Sequence, residues 1–369
     1  MAEPNAQPQA SEANNCLLAV GTYTRPMPHV HGIGRGIHLL RFDAATASLH
    51  ELQVHSHGVN PSYLCHSARD GLLYSVNEQE AGASIDVYAL GRDDSLRHLR
   101  KVSTPGASPC HISLNLAANH LYVSNYGSGE LLCYQLDQQG LPASAPTIIV
   151  RHGSGLRRDR QTGPHVHCGL PSPTGDGVYL CDLGTDTIAR HPIRNSTLDL
   201  TADLLIQAEP GSGPRHLLLD RTGTRAFVLN ELSNSVTTLR LPTKGDTRAQ
   251  TLARVRTLPA AWLGPNTASA LCLDPDGRWL YATNRGHDSI VGFRVLDQAP
   301  WLAPIGWWPA GGHTPRDAAI TPDGTFLFVA CQDDHRISCF RIDSGNGQLM
   351  RAGTPFAISS PACLLPLLQ

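Results

Sequence analysis

Charge is scarce in this sequence. Asp, Glu, Lys and Arg together make up 16% of the 369 residues, and the net charge is −2. Without a strong field of either sign the chain offers no surface for a polyanion, so nucleic acid is excluded as an expected partner. A local group of arginines can still hold a small anion. Long apolar runs are missing, so no membrane span is expected. Residues 1–15 have neither a basic segment nor an apolar one; they predict a disordered tail on a cytoplasmic protein. The ten cysteines form no CxxC pair and mostly sit inside apolar runs, which predicts buried, reduced thiols. No apolar pattern of helical period runs beyond a turn or two. A GxSxG elbow, a P-loop and an HExxH helix are all lacking, and the Gly-rich stretch 32–36 precedes a strand pattern.

What the chain does contain is turns: 34 glycines and 27 prolines. Pro61, Pro109, Pro164, Pro214, Pro265, Pro315 and Pro361 recur at intervals of 48, 55, 50, 51, 50 and 46 residues. After most of them comes a short apolar run, a turn such as Asp276-Gly277, and a second run (LLYSVNE, HLYVSNY, GVYLCDL, RAFVLNE, WLYATNR, FLFVACQ). A third and a looser fourth follow. Four short strands in about fifty residues make a β-propeller blade. The N-terminus lacks a first strand and the C-terminus supplies a lone one, PACLLPL, so joining them completes a blade. The expectation is an all-β, seven-bladed β-propeller over residues 16–369, with four-stranded antiparallel blades and one blade closed by both termini.

Closure predicts where chemistry sits. In a hairpin the start of the first strand and the end of the second lie on one side, so Arg215 and Glu231 meet although sixteen positions separate them. Counting eight residues back from each turn glycine places His167, Arg215, Ser269 and Arg316 in one ring. His111 joins them if Asn119 marks the turn. The second-strand ends supply an outer set that includes Glu78, Tyr126, Asn230 and Asn284. His165 and His167 are the candidates for proton transfer, because imidazole titrates near neutral pH. Strand alternation would point both to one face. A third metal ligand is not evident, so no metal is expected. Arg215, Arg285 and Arg316 suit the grip of a carboxylate or phosphate, or else pair with Glu231 and Asp317 between blades. His111 and His216 could equally serve as hydrogen-bonding residues between blades. Three long connections are predicted at the mouth: 25–35, 153–163 and 243–250.

The phrases GTYT (21–24), NPSYL (60–64), SPCHIS (108–113), RQTGPHVH (160–167), GSGPRHL (211–217), LNEL (229–232) and TNRGHDSI (283–290) resemble the seven-bladed propeller lactonases. That family includes the bacterial propeller-type 6-phosphogluconolactonases and the fungal 3-carboxy-cis,cis-muconate cyclase. The resemblance implies a metal-free site built from His167 or His165, Arg215, Glu231 and Arg285. It also implies no cofactor and a small anionic lactone as substrate. The expected reaction is hydrolysis of a sugar lactone, 6-phosphoglucono-1,5-lactone first, by a monomer or weak homo-oligomer. A lactonising cyclase and a non-enzymatic binding platform are the rival readings.

Overall fold

The computed structural model describes residues 16–143, 145–243 and 248–367; the expected N-terminal tail at 1–15 lies outside them. Among the described residues there is no helix, and the strands form seven sheets. Six blades follow the chain, each with its first strand innermost: Leu64–Ser67, Pro109–Leu114, Val166–Pro171, Pro214–Leu219, Thr267–Leu273 and Pro315–Ile320. In the seventh the C-terminal strand Pro361–Leu367 pairs with Cys16–Thr22, followed by Ile37–Asp43 and Ser48–His55. The closing blade therefore uses both termini as the repeat requires, and the ring of blades closes with only short, protected strand edges. The third blade adds a two-residue strand, Thr197–Leu198, beside its third strand.

The sequence pattern follows from burial. Second strands are covered on both faces by neighbouring blades, so Leu72–Asn77 and Phe326–Cys331 are buried at every position and read as near-continuous apolar runs, with Ser75 and Asn77 as the polar exceptions. Outer strands such as Gln250–Arg256 alternate with solvent. Seven large apolar clusters lie between adjacent blades and complete the circle; one joins Phe42 of the closing blade to Phe326 and Phe328 of the sixth. The ten cysteines are free, and nine of them are buried.

Two repeated backbone features aim side chains into the mouth. First, the inner strands carry β-bulges at Pro109/His111, Val166/Cys168, Pro214/His216, Ala268/Leu271 and Pro315/Asp317. The bulge leaves Cys110, His167, Arg215 and Arg316 without a ladder partner and turns them toward the axis. Second, the residue before the proline is left-handed in five blades: Asn60, Ser108, Gly213, Thr314 and Ser360. For β-branched Thr314 (φ 53°) that conformation is strained, as often found beside functional sites.

Of the predicted mouth connections, 25–35 and 153–163 reach this face, where Met27, His29 and Arg160 line the cleft. The third does not. It follows a third strand, Ser235–Arg240, and so leaves at the opposite end. There Pro242 and Thr243 border a groove with the Ser172–Thr174 turn; residues 244–247 lie outside the described residues.

Candidate active site

A cleft of about 580 Å³ opens at the mouth of the central channel. Its walls combine bulged inner residues (Cys110, His167, Arg215, Arg316) with second-strand ends (Glu78, Tyr126, Glu231, Arg285) and two loop residues, His29 and Arg160. Each comes from a position that the bulge or the hairpin end directs inward.

Glu231 is the hub. Its Oε1 accepts a hydrogen bond from Arg160 Nη2 at 2.7 Å, while Arg215 Nε and Arg285 Nη2 each lie 3.0 Å from Oε2. The Arg215 contact is off the hydrogen-bond line and therefore acts as an ion pair. Burial pushes the carboxyl up, yet Arg285, Arg215 and Arg160 together prevail and bring it down to about 2. Glu231 is therefore a fixed anion that positions guanidinium groups. Arg285 has burial and the repulsion of Arg215, Arg316 and Arg160 set against its attraction to Glu231. Its pKa drops to about 10, so it stays cationic at neutral pH. Arg215 Nη1 is also tied to the Ser269 carbonyl and lies 3.0 Å from His216 Nε2.

Across the cleft, Arg316 donates to the Tyr23 hydroxyl and lies over the Tyr23 ring, 4.8 Å from its centroid. Tyr23 donates to Glu78 Oε2 at 2.9 Å, and Ser62 Oγ donates to the same oxygen at 2.5 Å. The four arginines of the lining outnumber its three carboxylates, Glu78, Glu80 and Glu231, so the cleft is cationic inside a nearly neutral protein.

His167 forms part of the floor. Burial first, then Arg215 and Arg316, hold its imidazole well below the ordinary range, so it is neutral. Its ring meets Tyr126 and His216 edge-on at 5.6 and 5.5 Å.

Four predicted site residues sit elsewhere. His165 precedes the strand that begins at Val166, and the bulge at His167 breaks the alternation that would align the two rings. His165 instead stacks flat on the outer side of Tyr126 at 4.3 Å, with Nδ1 2.9 Å from the Tyr126 carbonyl. His111 is a ladder partner of Ser124 and lies below the cleft against Tyr63. The left-handed turn residue of that blade is Ala118 rather than Asn119, so the ring position eight residues back is Cys110. Asn230 and Asn284 turn away from the ligand face. Asn230 donates to Ser235 Oγ and Thr237 Oγ1, and Asn284 to Ser289 Oγ and the Thr257 carbonyl. Asn77 makes the equivalent bond to Ser84 Oγ, so this amide fastens the second strand to the third, and the next residue faces inward.

Sequence reasoning missed Arg160, His29 and Tyr23 as site residues. Arg160 and His29 come from loops outside the blade period. Tyr23, however, occupies the same hairpin-end position as Glu78 and Glu231, and VGTY (20–23) could have been aligned with SVNE and VLNE.

The family described as "Lactonase, 7-bladed beta-propeller" matches residues 17–366. The chain belongs to that family. The lactonase chain is 28% identical over 347 residues to the 6-phosphogluconolactonase of Bacillus subtilis, covering 94% of this chain and 96% of that one. It is 30% identical over 355 residues to the 6-phosphogluconolactonase of Formosa agariphila, covering 94% and 98%. Among solved structures, the periplasmic gluconolactonase of Pseudomonas aeruginosa superposes with a TM-score of 0.86 at 29% identity, covering 96% and 99%. Among the described residues of the lactonase propeller, no group of three or more His, Cys, Asp or Glu side chains is placed to hold a metal ion. No helix there is long and apolar enough to cross a membrane.

Proposed function

We propose that this lactonase hydrolyses a sugar lactone bearing an anionic group, with 6-phosphoglucono-1,5-lactone as the first candidate. The observation that carries this reading is the convergence of Arg160, Arg215 and Arg285 on buried Glu231, with Arg316 on the facing wall. Planar, permanently charged guanidinium groups fit phosphate and a developing oxyanion, and their fixed placement means little reorganisation is needed as charge forms. The Bacillus and Formosa relatives named as 6-phosphogluconolactonases support the phosphorylated substrate.

In this mechanism water attacks the lactone carbonyl carbon and a neutral imidazole takes a proton from it. Of the imidazoles, His167 on the floor and His29 on the lip line the cleft. The arginines stabilise the tetrahedral oxyanion and hold the phosphate. Glu231 keeps three of the guanidiniums in place. A strained ring ester needs no covalent intermediate, so orientation and charge suffice. A cytoplasmic location and a monomeric or weakly oligomeric state belong to the same proposal. The test is a pH-stat measurement of 6-phosphogluconolactone hydrolysis at neutral pH, with and without EDTA. Turnover above the spontaneous rate and insensitive to chelator is expected. A rate equal to the spontaneous one would refute the reading.

A further inference from the structure

The loop 25–35 folds over the mouth and is pinned there. Met27 and Val30 exchange backbone hydrogen bonds, and their side chains pack on Tyr23 and Ala362. That seating presents His29 to the cleft, with its Nε2 3.2 Å from the Tyr23 hydroxyl and its ring edge-on to the Tyr23 ring at 5.4 Å.

The hydrogen-bond inventory around Tyr23 fixes the tautomer of this histidine. A phenol has one proton to give. Glu78 Oε2, 2.9 Å away, is a carboxylate oxygen that can only accept, so the phenol proton goes there. Arg316 has only donors, so it occupies a lone pair of the same phenol oxygen. What remains on that oxygen is an acceptor site, and His29 must meet it with Nε2–H. Nδ1 is then the bare nitrogen, and among the described residues it makes no hydrogen bond.

We propose that His29 is the catalytic base of this site, with Nδ1 taking the proton of the attacking water; this rests on the lactone-hydrolase reading above. As the water oxygen bonds to the carbonyl carbon, its proton passes to Nδ1 and the C=O π electrons move to the carbonyl oxygen, which faces the arginines. Collapse re-forms C=O and breaks the bond from that carbon to the ring oxygen. The proton on Nδ1 then goes to the departing oxygen, leaving a hydroxyl and a carboxylic acid that ionises into solvent. No other reactant is consumed.

His167 fits this task less well. Among the described residues the side-chain hydrogen-bond partner of its Nδ1 is the Cys110 thiol at 3.8 Å, a weak partner for fixing a tautomer. Protonating it would place a buried cation beside Arg215 and Arg316. His29 is exposed on its outer side, where solvent screens a transient positive charge. The charged and titratable groups around it are Arg316, Arg285, Arg160, Glu231 and Tyr23, with Glu78 behind Tyr23. Desolvation in the cleft, then Arg316 and Arg285, bring its imidazole down to about 3, so the base is unprotonated in the free site. The arginine repulsion is shared with His167, and an anionic group bound against those arginines offsets it and raises the basicity of His29.

The test compares the unaltered protein with His29→Gln and His167→Asn on 6-phosphogluconolactone. In parallel, a long-range proton–nitrogen NMR spectrum of the unaltered protein reads the His29 tautomer. We expect His29→Gln to lower kcat by about 100-fold or more with KM within about threefold, and His167→Asn to act mainly on KM. The spectrum should show Nε2 protonated and Nδ1 bare. Retention of kcat by His29→Gln, a kcat collapse confined to His167→Asn, or an Nδ1–H tautomer would each overturn the assignment. If the unaltered protein has no lactone turnover, the hydrolase reading itself fails, and the role of His29 with it.

Discussion

Replacing Glu231 by glutamine removes the carboxylate on which three guanidinium groups converge and leaves the shape of the side chain nearly intact. Two of those groups, on Arg215 and Arg285, have side chains only 5% and 17% exposed, so water compensates little. The fold holds this carboxyl at about 2 against an ordinary 4.5. A difference of that size makes its ionised form worth about 3 kcal/mol to the folded state at neutral pH. Breaking a buried ion pair from one side costs a similar amount, about 3–5 kcal/mol. Equilibrium urea unfolding at pH 7 should therefore show Glu231→Gln less stable by about 3 kcal/mol, with the slope unchanged. The sign of the pH dependence follows from the lowered pKa. The stabilisation is complete above the unfolded-state value and is lost as pH falls toward 2, so about 1 kcal/mol of the difference should vanish between pH 7 and 3.5. Inorganic phosphate should raise the midpoint of the variant more than that of the unaltered protein, because three guanidiniums without their carboxylate attract an anion more strongly. A variant within about 0.5 kcal/mol of the unaltered protein at pH 7, with the slope unchanged, would refute the hub role.

Asn230→Ala should lose about 1–3 kcal/mol of stability through its two bonds to the third strand and leave kcat/KM unchanged, as urea titration and initial rates will show. His165→Ala should change kcat/KM less than His167→Asn does, since its ring stacks behind Tyr126; initial rates at saturating and limiting substrate test this. Chelation should have no effect on hydrolysis, because a cleft walled by four arginines repels a divalent cation; pre-incubation with EDTA followed by the pH-stat assay checks it.

The fold was legible because burial leaves a plain trace. Strands covered on both faces read as apolar runs, and the turns after the first strands mostly carry Gly where the backbone turns left-handed, at positions 71, 175, 223, 277 and 324. The register of the site was less legible, for a local reason. In the second blade the left-handed turn position is filled by Ala118, and a count anchored on Asn119 lands on His111 instead of Cys110. The two members of each strand-end pair also have different work. Asn77, Asn230 and Asn284 close the hairpin, while Glu78, Glu231 and Arg285 face the ligand, and the sequence prints both as polar tips. His29 and Arg160 reach the cleft from loops whose path depends on tertiary seating, here Met27 and Val30 against Tyr23. No repeat or alternation encodes that.

The central claim is that side chains from separate blades meet as one seat for an anionic lactone. Its most direct test is the ratio of kcat/KM for 6-phosphogluconolactone to that for unphosphorylated gluconolactone, measured in the unaltered protein and in Arg160→Ala and Arg285→Ala. If these guanidiniums grip the phosphate, each substitution should lower the ratio by about tenfold or more, a loss of roughly 1.4 kcal/mol or more specific to the charged substrate. Equal losses on both substrates, with the ratio unchanged, would contradict the account.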